Sequence, residues 1–138
     1  TPHRLAKAWR EMFASYREPQ PDLKWFGSEA DEMVVIRGIT FSSTCEHHIL
    51  PFWGTAAVGY IPGGKVIGVS KIPRLVTYMS KKLQVQERLT NEIGRALNVE
   101  GVKGVGVSLV GQHMCMMARG VLQQSSTMET RSIKLRSG

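Results

Sequence analysis

Between Pro73 and Leu97 the apolar residues recur every three or four positions, whereas on either side they alternate with other residues or crowd into β-branched runs. A hydrophobic period that changes from two to roughly 3.6 residues and back points to helices laid on a sheet. Leu75, Met79 and Leu83 make one helical face and Leu89, Ile93 and Leu97 another. Gln84-Val85-Gln86-Glu87 interrupts them, so two helices joined near there are expected. Upstream, Thr1 and Pro2 stand where an N-cap and a first-turn proline belong. Leu5, Ala8, Trp9, Met12, Phe13 and Tyr16 then follow at helical spacing until Pro19-Gln20-Pro21 ends the helix.

A short polar loop leads to a strand over Met33–Phe41, which the Ser42–Thr44 cluster is expected to break. Gly54–Ile61 reads as a second strand, and a Pro-Gly-Gly turn before Val66–Val69 gives a hairpin-like pattern. After the helices, Val105, Val107 and Leu109 alternate with Gly106, Ser108 and Val110 in a strand expected to run through His113 and Cys115 to Met117. A last strand is placed near Thr127–Leu135. The order predicts one α+β domain over residues 1–138, an antiparallel sheet covered on one face by helices.

At 42% hydrophobic and 21% charged residues, the composition is that of a folded globular chain and excludes a disordered tail. No apolar run approaches the roughly 18 residues of a bilayer span, so no membrane partner is expected. The first residues enter an amphipathic pattern unlike a secretory signal, and a cytoplasmic location is expected. The net charge of +7 favours an anionic partner without naming one.

Both cysteines and three of the four histidines fall into two groups, Cys45-Glu46-His47-His48 and His113-Met114-Cys115. The two-residue gap between Cys45 and His48 lets both reach one ion from a turn, and Cys115 offers a third ligand. Three protein ligands leave a tetrahedral position for water, as in a catalytic zinc site. The spacing alone leaves buried thiols and ordinary polar histidines as the alternative. His47 is the adjacent residue free for acid-base work, and strand alternation points His113 toward the face of Cys115. At the passage from strand to helix, Ser70, Lys71 and Arg74 suit an anion beside helix-start N–H groups. Arg4 and Lys7 repeat that spacing on the first helix, and Arg119 lies just beyond Cys115. Each cation taken singly also reads as a solvated surface charge. Gln84, Gln86 and Glu87 fit exposed helix positions, although a carboxylate such as Glu87 also suits a guanine edge.

These segments, Cys45-Glu46-His47-His48, Ser70-Lys71-x-x-Arg74, Gln84-Val85-Gln86-Glu87-Arg88-Leu89-Thr90 and His113-Met114-Cys115-Met116, occur in an order and spacing that resembles the GTP cyclohydrolase I family, from Thr1-Pro2-x-Arg4 to about Met128. The resemblance implies a tunnelling fold, with sheets joined edge to edge into a pentameric barrel and two pentamers stacked as a homodecamer. It implies zinc on Cys45, His48 and Cys115, His47 as proton donor and His113 as a second acid-base group. It further implies Glu87, with Gln86 beside it, on guanine, and Ser70, Lys71, Arg74 and Arg119 on ribose and triphosphate. Arg4 and Lys7 are then phosphate ligands presented by a neighbouring subunit.

The implied reaction is hydrolysis of GTP at C8 with loss of formate to give 7,8-dihydroneopterin triphosphate. The alternatives are a related zinc hydrolase that stops at the ring-opened formylated pyrimidine and a basic, zinc-stabilised nucleic-acid module. The scattered Trp9, Trp25 and Trp53 give the latter no stacking platform, so no nucleic acid is expected. Family members are usually longer at both ends, and the loop after the first helix is short here. These departures bear on assembly and regulation rather than on the chemistry.

Overall fold

A computed structural model describes residues 1–136; the last two positions of the expected 1–138 domain lie outside the described residues. The chain runs α1 (Pro2–Met12), β1 (Trp25–Gly27), β2 (Val34–Cys45), β3 (Pro51–Pro62), β4 (Lys65–Ile67) and α2 (Lys71–Ser80). It continues through β5 (Leu83–Gln84), α3 (Gln86–Leu97), β6 (Val102–His113), α4 (Met114–Met117) and β7 (Met128–Leu135). The expected α+β class holds, with strands β5-β2-β3-β6-β7 in one sheet and β1-β4 in a small second one.

The main sheet is mixed rather than wholly antiparallel, because β5 pairs parallel to the end of β2, Cys45 opposite Gln84. The other pairings, β2 with β3, β3 with β6 and β6 with β7, are antiparallel. Phe41, Phe52, Ala56, Val58, Val107 and Leu109 line the inner face. There they meet Ile72, Leu75, Val76 and Met79 of α2 and Leu89, Ile93 and Leu97 of α3. Each such side chain taken fully from water contributes about 1.5–3 kcal/mol, so this layer holds the helices in place. A bulge between Ile36 and Ile39, with Gly38 at φ +68°, inserts one residue into β2. It moves the inward set from Val34 and Ile36 to Ile39 and Phe41. Strands β3 and β6 approach so closely that a β-carbon on Gly54 would collide with the Val110 carbonyl.

Four local expectations are corrected. The Ser42–Thr44 cluster does not break β2: the inward Ser43 hydroxyl donates to the Ser80 carbonyl at 2.7 Å, so its burial leaves no polar group unpaired. The strand after the Pro-Gly-Gly turn does not fold back on β3 but pairs with β1, a segment read as loop, and the Tyr60 hydroxyl accepts the Ile67 N–H. Helix α1 stops at Met12, before a 3-10 turn at Ala14–Tyr16. It buries no residue in this chain and leaves Leu5 and Trp9 nearly half exposed. Strand β6 ends at His113, and Met114–Met117 forms one helical turn where the strand was expected to continue. The last strand lies at Met128–Leu135, close to the expected Thr127–Leu135. No described helix is long and apolar enough to cross a membrane.

Candidate active site

Antiparallel pairing brings the two Cys/His groups together. The first occupies the turn between β2 and β3, and the second follows β6, whose last residue His113 lies opposite Phe52 at the start of β3. Convergence therefore comes from the register of β3 against β6. Strand alternation does not relate His113 to Cys115, since Cys115 stands on α4.

Within the first turn, the Cys45 N–H donates to the Leu50 carbonyl and the Ile49 N–H to the Cys45 carbonyl, both at 2.8 Å. Ile49 adopts φ +54°, a left-handed conformation that a β-branched residue resists at a cost of roughly 1–3 kcal/mol. That strained residue reverses the chain just after His48. On the other side, the Ala118 N–H closes α4 on the Met114 carbonyl, and the Gln123 N–H donates to the Met116 carbonyl.

The Sγ atoms of Cys45 and Cys115 and a ring nitrogen of His48 all lie within 4.8 Å of one another. Both cysteines are free thiols. A tetrahedral zinc bound at about 2.3 Å from sulfur and about 2.0–2.1 Å from nitrogen holds its ligand atoms about 3.6–3.8 Å apart, so small side-chain adjustments close this set on one ion. Two thiols with one imidazole are also the donor types that such an ion prefers. The group can thus hold a metal. Burial, and then the neighbouring Cys45 thiol, push the Cys115 thiol up from its ordinary range, with the Arg119 charge opposing.

His47 is exposed beside this group, its Nδ1 3.9 Å from the Cys45 sulfur. His113 is half-buried and stacked parallel on Phe52 at 4.6 Å between ring centres. Burial pushes its pKa down, against the pull of the Glu87 charge. Glu87 is exposed in the first turn of α3, where the helix dipole favours negative charge. The β2–β5 pairing and the Glu46 N–H, which donates to the Gln84 carbonyl at 2.9 Å, set this helix start beside the Cys45–His48 turn.

Gln84 and Gln86, expected as exposed helix residues, are both buried. Gln86, expected beside the base, has both ends of its side-chain amide engaged within the chain: Oε1 with His113, Nε2 with Leu109, Met128 and Thr130. Ser70 and Lys71 stand at the start of α2, and Arg74 follows on its exposed side. Arg74 lines a groove of about 350 Å³ with Ser15, Glu18, Tyr78 and Lys81. Arg119 is exposed after α4, and Arg4 and Lys7 are exposed on α1. Among the described residues, no hydrogen bond or ion pair ties Arg4, Lys7, Ser70, Lys71 or Arg74 to the Cys/His group.

One pair went unread in the sequence. Arg88 donates from both terminal nitrogens to the Glu46 carboxylate, at 2.9 and 2.8 Å, and so bolts the Cys45–His48 turn to the first turn of α3. This Arg88 contact holds the Glu46 carboxyl below the usual carboxylate range. Glu46 lay within the first motif and Arg88 within the third, but no local signal couples residues 42 positions apart.

The family model of GTP cyclohydrolase I matches residues 1–136. GTP cyclohydrolase 1 of Alkalilimnicola ehrlichii is 48% identical over 134 residues, which cover 94% of this chain and 72% of that protein. The Pseudoalteromonas translucida protein of the same name is 45% identical over 134 residues, covering 94% and 73%. That of Campylobacter jejuni is 45% identical over 139 residues, covering 97% and 73%.

Proposed function

The chain belongs to the GTP cyclohydrolase I family, and on that premise we propose that it is a zinc-dependent GTP cyclohydrolase I that hydrolyses GTP at C8, releases formate and yields 7,8-dihydroneopterin triphosphate. The observation that carries this reading is the convergence of Cys45, His48 and Cys115 within 4.8 Å, with His47 alongside. Zinc, if held by these three, would supply Lewis-acid activation of water, making hydroxide available near neutral pH.

The remaining work belongs to the chain's own side chains. His47 donates a proton to N7 of the purine, which makes C8 electrophilic. His113 moves a proton while the ribose opens and the ring recloses. Glu87 accepts from N1–H and the exocyclic amine of guanine, a donor pair that adenine lacks. Ser70, Lys71, Arg74 and Arg119 hold ribose and triphosphate, and Arg4 and Lys7 come from a neighbouring subunit. Charge-assisted hydrogen bonds from these cations answer the roughly four negative charges of GTP, consistent with the chain's net +7. The working form in this reading is a cytoplasmic homodecamer of tunnelling-fold pentamers.

Assaying GTP for formate and a fluorescent pterin, before and after chelation, tests the proposal. Both products should form and both should cease when metal is removed. Formate without pterin, accumulation of the formylated pyrimidine, or undiminished turnover without metal would overturn it. Glu87→Ala is expected to raise KM for GTP and lower the preference for GTP over ATP by about 10-fold or more. Parallel kinetics with the two nucleotides check this.

A further inference from the structure

We propose that Gln86 is a positioning residue for His113: its side-chain amide fixes the imidazole with the proton on Nε2 and leaves Nδ1 as the nitrogen open to a proton or a substrate hydrogen. The inference rests on the reading that His113 acts in the reaction, and it assigns the atom through which it acts.

The orientation of the amide follows from its neighbours. One end of Gln86 lies 2.8 Å from the Met128 carbonyl and 3.2 Å from the Leu109 carbonyl. Carbonyl oxygens only accept, so this end must be the NH₂. Its third neighbour, the Thr130 hydroxyl at 3.1 Å, is an acceptor as well. The Thr90 hydroxyl spends its hydrogen on the Gln86 backbone carbonyl at 2.8 Å. The 2.7 Å contact between the two threonines is therefore donated by Thr130, whose lone pairs remain for the amide. Oε1 of Gln86 is left facing His113 Nε2 at 2.7 Å. An amide oxygen cannot donate, so Nε2 carries the hydrogen.

Two further features hold this arrangement. Phe52 stacks parallel on the imidazole at 4.6 Å and sets the plane of the ring. Gly111 leaves the space that the amide fills, since a β-carbon there would stand 2.7 Å from Gln86 Oε1. Gln86 itself is only 1% exposed, so water does not compete for these bonds. A side chain committed at both ends to the protein interior is poorly placed to leave it for a substrate.

The test is ring-nitrogen NMR on zinc-loaded enzyme labelled at histidine, with the His113 signals assigned by their loss in His113→Ala. The expected wild-type spectrum shows the hydrogen on Nε2, with no population of the ring that lacks it there. A proton found on Nδ1 alone, or an even mixture of tautomers, would overturn the proposal without any change at Gln86. In Gln86→Ala we expect both tautomers, zinc content unchanged, kcat lower by about 10- to 100-fold and KM for GTP within about twofold. An unchanged tautomer with a raised KM would mean that Gln86 contacts substrate instead, and would also overturn it. If Gln86→Ala does not fold, Gly111→Ala displaces the amide without deleting it and should mix the tautomers in the same way. A His113→Ala enzyme working at the native rate removes His113 from the reaction while the tautomer assignment stands, so the two failures are distinguishable.

Discussion

Cys115→Ser is expected to abolish stoichiometric metal binding and, with it, formation of the pterin product. Cys115 is one of three candidate ligands and comes from a segment 67 positions beyond the next nearest, His48, so nothing local replaces it. A serine hydroxyl is not ionised near neutral pH and is a poor zinc ligand, whereas thiolate is a strong one. The loss of activity should exceed the roughly 10- to 100-fold typical of removing a group that merely supports a ligand. Metal analysis of the purified variant alongside its GTP turnover checks both halves. The wild-type site carries a pH signature of its own. Burial and the Cys45 thiol hold Cys115 protonated above the usual thiol range, and metal uptake must expel that proton. Affinity should accordingly rise with pH up to the raised thiol pKa. A full complement of metal in Cys115→Ser would remove this cysteine from the ligand set.

His47→Ala is expected to separate chemistry from metal binding. The residue neighbours Cys45 without belonging to the converging trio, and it is exposed where a substrate can reach it. Removing a general acid costs typically 10²- to 10⁴-fold, so kcat should fall by about that range while metal per chain stays at the wild-type level. Thermal stability should barely change, because the exposed ring leaves no buried cavity behind. Turnover at the native rate would take His47 out of the reaction.

Much of this was legible in the amino-acid order because it depends on local periodicity. The helices α2 and α3 and the inner residues of β6 follow from apolar spacing, except that Leu83, expected on the first helical face, lies in β5 beyond the end of α2 at Ser80. So does the pairing of Cys45 with His48, which needs only a turn. What could not be read depends on partners far along the chain. Ser43 is tolerated in a buried strand because the Ser80 carbonyl is waiting for it. Trp25–Gly27 becomes a strand because β4 turns away from β3 and offers it an edge. Gln84 and Gln86 look like solvent-facing residues until strands and helices bring carbonyls to their amides. The Glu46–Arg88 pair is of the same kind. The end of β6 is illegible for a different reason: Met114, Cys115, Met116 and Met117 have no period that separates a strand from a single helical turn.

The register of β3 against β6 has an implication for how the enzyme matures. While synthesis has passed His48 but not yet reached β6, Cys45 and His48 exist, yet the remaining thiol does not and the strand that leads to it has not formed. In the proposed metal site, three-ligand coordination thus waits for β6 and α4. A product that stops short of Cys115 offers only two of the three candidate donors and should hold metal more weakly than one that includes it.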